Sequence, residues 1–234
     1  RSWQVLAHLD CPRQAFMQRF ASGGGSTGRM RFGSAFKEGM RRYLSGECDS
    51  LEEAVLGVVG EKDFGGPALK EYWERQVRET LASCEAWAAG LRENLVSGTG
   101  SWSLEMGEHE ITGEHGPVVR ENGERVVVRV STSKYPASYD DAAEDPTLAL
   151  QALGVEVDAA KLVYPRKLSR NKPAERPLST DEGWREAFAG QVRQALAEVA
   201  AGEIPARPRN EGICAGCAFR ITCPLHTEDE PWSG

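Results

Sequence analysis

The sequence predicts a mixed α/β domain in which a central mixed sheet is flanked by helices and preceded by a helical N-terminal part. Three observations lead there. Apolar residues in the first hundred positions recur at helical spacing; residues 102–130 alternate apolar and polar around an Asn-Gly turn; and helix, strand and helix then follow in order.

Residues 3–20 read as helical, with Trp3, Leu6, Leu9, Phe16 and Phe20 partly on one face and Pro12 marking a break or a helix start. Gly23-Gly24-Gly25-Ser26-Thr27-Gly28 is a loop. It shares only glycine content with a phosphate-binding loop, since no Gly-Lys-Ser/Thr follows. Helices are predicted over Phe32–Leu44, over 50–62, and as one long amphipathic helix over 66–96 carrying Leu69, Trp73, Val77, Leu81, Cys84 and Trp87. Strands follow at Trp102–Ile111, Val118-Val119 and Glu124–Val130, the last two joined by the hairpin signal Glu121-Asn122-Gly123. Residues 140–153 read as a helix, Ala160–Tyr164 as a strand, and Thr180–Ala201 as a helix capped by Ser179 or Thr180. The expected organisation is one domain: a helical part over 1–98, an α/β core over 99–203 and a cysteine-rich ending over 204–234.

Composition narrows the function classes. With 234 residues, 40% hydrophobic and 27% charged, the chain can bury a sizeable core. No apolar run reaches the roughly 20 residues of a membrane span, and no secretory signal is visible, so a cytoplasmic protein without membrane partners is expected. The chain starts without Met and reads as an excised domain or processed product. A net charge of −7 argues against indiscriminate DNA binding. The charge is uneven, however. Residues 1–45 hold Arg1, Arg13, Arg19, Arg29, Arg31, Lys37, Arg41 and Arg42 against Asp10 and Glu38, and a second cluster is Arg166, Lys167, Arg170, Lys172 and Arg176. Such clusters are either solvated faces or phosphate contacts.

The cysteines carry the sharpest chemistry. Cys214, Cys217 and Cys223 are spaced C-x2-C-x5-C, close enough to wrap one metal centre. Three thiolates leave a cubane iron–sulfur cluster or a tetrahedral zinc one ligand short, and Cys11 is the candidate fourth ligand. A metal there would clasp the two ends together. Cys48 and Cys84 lack spacing partners and read as ordinary thiols. His8, one turn before Cys11, is a candidate for contact around that centre, and His226 an alternative zinc ligand. His109 and His115 flank the first hairpin, where a metal with Glu105 or Glu110 and an ordinary exposed role are both open.

Cys11-Pro12 with trailing aromatics, a helix start at Gly33, a hairpin into a small-residue turn and the ending Cys214-Ala-Gly-Cys217-Ala-Phe-Arg-Ile-Thr-Cys223-Pro224 resemble the RecB/AddB-type nuclease domain of the PD-(D/E)XK superfamily. The likeness is greatest to the C-terminal domains of actinobacterial AddAB- or AdnAB-type helicase–nucleases. It implies a restriction-endonuclease-like core with a helical N-terminal insertion and termini clasped by a 4Fe–4S cluster, zinc being the alternative. It also implies DNA and a helicase domain or subunit as partners. The ending and Cys11 match well; the active-site motifs do not.

The family places an Asp near the first hairpin strand and Asp-x-Lys-Thr-Gly at the end of the second, and these carboxylates bind Mg²⁺ or Mn²⁺. Here the second strand reads Val127-Val128-Arg129-Val130-Ser131-Thr132-Ser133-Lys134, which puts Arg129 at the metal Asp and Ser131 at the Lys. The first Asp falls at Gly116-Pro117; the family's Gln-Leu-x-x-Tyr reads Thr147-Leu148-Ala149-Leu150-Gln151; its helical His appears as Lys37. A cation in the metal position repels Mg²⁺ and is itself able to contact phosphate.

Three readings follow. The first is a catalytically degenerate, DNA-associated domain of a helicase–nuclease, with no Mg²⁺ at the degenerate site. Arg13, Arg19, Lys37, Arg41, Arg129, Lys134, Arg166 and Lys167 are its candidate DNA contacts. The second is an active Mg²⁺- or Mn²⁺-dependent exonuclease with ligands relocated among Glu105, Glu108, Glu110, Asp140, Asp141, Glu144 and Asp145. The third is a subunit-interaction domain that touches no DNA.

Overall fold

A computed structural model describes residues 2–18, 28–62, 66–81, 84–133, 138–139, 142, 145–169 and 172–202, together with positions 205, 208, 213–214, 217 and 223. The chain divides into two compact units, one gathering residues 1–24, 103–113 and 182–234, the other residues 25–102 and 114–181.

In the first unit, α1 (Ser2–Asp10) and α2 (Pro12–Gln18) meet at Cys11, so the predicted 3–20 helix is broken. Pro12 opens α2, where its missing N–H costs nothing. Val5, His8 and Cys11, three residues apart, form the buried face. α1 packs on α8 (Glu182–Ala201), whose buried stripe is Phe188, Val192, Ala195 and Glu198. Trp184 stacks on Phe188 with ring centroids 5.5 Å apart. Because α8 begins at Glu182, neither Ser179 nor Thr180 is its cap. Ser179 ends a strand, and the Thr180 hydroxyl donates to the carbonyl of Asp158.

The sheet of the second unit runs β1 (Leu95–Ser97), β4 (Val118–Glu121), β5 (Glu124–Val130), β6 (Ala159–Ser169), β7 (Lys172–Ser179) across its width. β4 and β5 form the expected hairpin, with Asn122 at φ +51° and Gly123 at φ +90°. β5 and β6 are parallel, joined through α7 (Pro146–Val155); the other pairs are antiparallel. Val119, Val126, Val128, Val130 and Val163 face a core built with α3 (Gly28–Leu44), α4 (Leu51–Glu61), α5 (Pro67–Leu81) and α6 (Glu85–Glu93). Strand alternation therefore turns Arg129 to the opposite face.

Three predicted elements are corrected. The 66–96 helix is α5 and α6, broken before Cys84, followed by β1. Cys84 is fully buried and its thiol donates to the Pro165 carbonyl, 3.4 Å. Continuous helical periodicity does not reveal such a break, because two short helices can bury the same face. The 102–111 strand is a hairpin, β2 (Gly100–Met106) and β3 (His109–His115), turning at Gly107 with φ +62°. β7 was not predicted. Pro173 and Pro177 mask its signal, and it tolerates them as an edge strand. Of the 140–153 helix, α7 covers the C-terminal part, starting at Pro146.

α3 and α4 approach closely at Gly39, where a Cβ would lie 2.6 Å from Val55 Cα. Gly39→Ala is expected to destabilise the fold by about 3 kcal/mol, since backbone cannot yield as a side-chain tip does. Urea denaturation checks this; an unchanged midpoint would show that the helices part freely. Among the described residues no helix is long and apolar enough to cross a membrane.

Candidate functional site

The polar positions of the second unit converge where β5 ends. Arg129 lies on β5 beside Leu162 of β6. Its Nη1 donates to Asp145 Oδ2 at 2.7 Å, with both side chains about three-quarters covered. Asp145 Oδ1 accepts from the Leu148 amide at 2.8 Å and so caps α7. Each carboxylate oxygen of Asp145 thus has a donor. Thr147 lies in the first turn of the same helix and is half-buried.

α3 supplies the next cation. Gly33 comes within 3.1 Å of Thr132 Oγ1, measured to where its Cβ would stand, and Lys37 is one turn further along α3. Lys37 is partly exposed; desolvation by its surroundings lowers its pKa, and the Arg129 charge lowers it further, while Glu114 partly opposes both. Gln151 Nε2 donates to the Glu114 carbonyl at 3.1 Å, and no described group donates to its buried Oε1.

Gly116 is closed in by backbone. A Cβ on Gly116 would stand 1.9 Å from the Val128 carbonyl oxygen, and Val128 N donates to the Pro117 carbonyl at 2.9 Å. Pro117 is buried in this contact. His115 Nδ1 donates to the Gly116 carbonyl at 2.6 Å. Ser131 is held by its backbone, N to the Val163 carbonyl at 2.8 Å, and its hydroxyl accepts from Ser133 N at 3.4 Å. Gly116, Arg129 and Ser131 do not suit a divalent cation, since a glycine, a guanidinium and a hydroxyl offer it no carboxylate.

The other predicted residues are placed apart. Arg41 bonds Glu38 and Glu47, and Arg42 bonds Glu38 and Glu61, so two of the N-terminal cations are met by carboxylates. Hydrogen bonds from Arg41 chiefly hold Glu38 below its ordinary range, and those from Arg42 do the same for Glu61. Both carboxylates are harder to protonate when folded than when unfolded. This network contributes stability above the ordinary carboxylate pKa of 4.5 and loses it as pH falls below that. NMR titration of these glutamates is expected to show midpoints below 4.5 that rise toward it in Arg42→Ala.

Arg13 is half-buried on α2. Arg19, Lys134, Asp140, Asp141, Glu144 and His226 lie outside the described residues, as do the side chains of Arg166 and Lys167. Glu110 accepts from Ser103 Oγ at 2.6 Å; Glu105, Glu108 and His109 are exposed on the β2–β3 hairpin. Cys11 is buried, while Cys214, Cys217 and Cys223 are half-buried; all four belong to the first unit. The Cys217 amide donates to the Cys214 carbonyl at 3.2 Å. Among the described residues no three His, Cys, Asp or Glu side chains are grouped to hold a metal ion. His8 bonds Glu198 at 2.8 Å, both buried, which gives the histidine a carboxylate partner on α8.

The fold, a five-stranded mixed sheet with helices against it, is that of a nuclease-like α/β domain. The family model described as the PD-(D/E)XK nuclease superfamily matches residues 4–224, and the chain belongs to that superfamily. No curated protein matches it. A solved structure described as the crystal structure of SSO0001 is similar at 15% identity over 95% of each chain, with a TM-score of 0.40, too low to bear on function.

Sequence reasoning named Arg129 and Asp145 separately and missed their pairing. An Asp-Pro before an apolar helix signals a cap, but nothing in sixteen residues of separation signals the ion pair. Glu114, whose carbonyl accepts from Gln151, was also missed.

Proposed function

We propose that this is a catalytically degenerate RecB/AddB-type nuclease domain that associates with DNA inside a helicase–nuclease system. The observation that carries it is the Arg129–Asp145 ion pair at the end of β5, where the family's motif needs a metal-binding carboxylate. The guanidinium neutralises Asp145, which is the described carboxylate best placed to replace the lost one, and Gly116 leaves no room for the other. Binding is retained in this reading through the basic residues, by contacts to backbone phosphate.

The four cysteines are assigned to a structural 4Fe–4S cluster, with zinc as the alternative. Their spacing, their thiolate chemistry and their membership of one unit support this. Such a cluster supplies metal–thiolate bonds between segments distant in sequence and takes no part in hydrolysis.

Incubation with Mg²⁺ or Mn²⁺ and labelled single-stranded and duplex DNA ends is expected to leave both intact. Cleavage that disappears on substituting Glu105, Glu108, Glu110 or Asp145 would establish the relocated-ligand enzyme instead. Iron and acid-labile sulfide are expected in protein purified without oxygen and lost in Cys11→Ser; zinc alone would make the site a zinc clasp, and no metal would remove the assignment.

A further inference from the structure

We propose that Tyr139, braced by Arg176, is a stacking platform for one base of a single-stranded nucleic acid, and that Arg129 continues its cationic row. This rests on the DNA-associated reading above and adds which strand form is taken and by which groups. Strand register places the two arginines. Arg129 of β5 is partnered with Leu162 of β6, and Leu162 with Arg176 of β7. Partners in register share a face, so the three residues form one row, with the arginine Cα atoms two strand spacings, about 10 Å, apart. Val128 and Val130, on either side of Arg129, pack into the helical core, so the row lies on the opposite face of the sheet.

Arg176 is held twice. Its Nη1 donates to the Glu175 carbonyl at 2.9 Å, and its guanidinium carbon stands 4.2 Å from the centroid of the Tyr139 ring. That distance is a cation–π contact, which fixes the ring as well as the guanidinium. Arg176 is half-buried, whereas Tyr139 is 62% exposed. A ring braced by a cation on one side and left in water on the other forgoes the stabilisation of burial and is preorganised for a flat partner. Every base offers such a face once it is unstacked from its neighbours, so the platform takes a single strand without reading sequence. The bases of a duplex are stacked on each other and offer none. Charge selects the same occupant, because guanidiniums in a row suit consecutive phosphates. Arg129 is steered by Asp145 at 2.7 Å, which engages one of its five donors.

The test is fluorescence anisotropy of the full chain with labelled oligothymidylate and, separately, a labelled blunt duplex, without added divalent ions and over a series of KCl concentrations. The unaltered chain is expected to bind the single strand with an affinity that falls as salt rises. Tyr139→Ala is expected to weaken single-strand binding about tenfold, with the salt slope and the duplex affinity unchanged, and Tyr139→Phe to keep the unaltered affinity. Arg176→Gln is expected to lower the salt slope by about one, and so is the paired variant Arg129→Gln/Asp145→Asn, which keeps a good helix cap. Full single-strand affinity in Tyr139→Ala, or an equal loss on both DNA forms, would overturn the platform while leaving DNA association standing. Unchanged slopes in both arginine variants would overturn the cationic row. If an arginine variant fails to fold, the exposed Tyr139 variants decide alone. No binding of either DNA by the unaltered chain would overturn the platform and the DNA-associated reading together.

Discussion

Gly116→Asp, the substitution that would place a carboxylate at the first motif position under the proposed reading, is expected to unfold the sheet rather than build an active site. A Cβ there would overlap the Val128 carbonyl oxygen at 1.9 Å, with the carbonyl carbon at 3.0 Å. Both obstacles are backbone, and Val128 is committed to the ladder with β6 and to Pro117. Relief requires β5 to move, which disturbs the packing of Val128 and Val130 against the helical core. The expected cost is about 3 kcal/mol or more for Gly116→Ala, and greater for Asp, whose carboxylate must also be desolvated. Chemical denaturation measures it. A folded Gly116→Asp variant with an unchanged midpoint would show that the segment yields easily. Adding Arg129→Asp and Ser131→Lys to it and recovering metal-dependent cleavage would mean the site is only a few residues from function.

The second large effect is expected at His8. Its Nε2 meets Glu198 Oε2 at 2.8 Å, and Gln194 donates to the other carboxylate oxygen at 3.0 Å. Both members are more than nine-tenths buried as residues. Removing one partner of a buried pair costs about 3–5 kcal/mol, because the desolvated charge stays behind. His8→Ala leaves the carboxylate short of its ring partner and is expected to fall in that range. Glu198→Gln, which keeps an acceptor for the ring, is expected to cost less than half as much. Replacing both by leucine is expected to recover most of the loss, since apolar packing often equals a buried pair. Thermal melting of the three variants checks the order. Equal, small losses would mean that α1 and α8 hold together by their apolar faces alone. Because α1 leads directly into Cys11, the His8→Ala variant is also expected to lower iron incorporation under the cluster reading.

Much of the fold was legible. The Asn-Gly turn of β4–β5, the order β5, helix, β6, and α3, α4 and α8 follow from local chemistry: φ-permissive residues, alternation, and helical stripes. Misses came where two elements share one pattern. The α5–α6 break leaves the buried stripe intact across Cys84. The turn at Gly107 hides between residues that alternate on both sides, and β7 hides behind prolines that only an edge strand admits.

The candidate site divides the same way. The sequence by itself determined where Arg129 and Ser131 fall at the end of a strand and how the four cysteines are spaced, because residue identity and spacing are properties of the chain. Only the tertiary structure decided that Arg129 is paired with Asp145 and that Gly116 cannot accept a side chain. Those outcomes depend on distances of a few ångströms between segments far apart in sequence, and electrostatic and steric energies change most steeply at that scale.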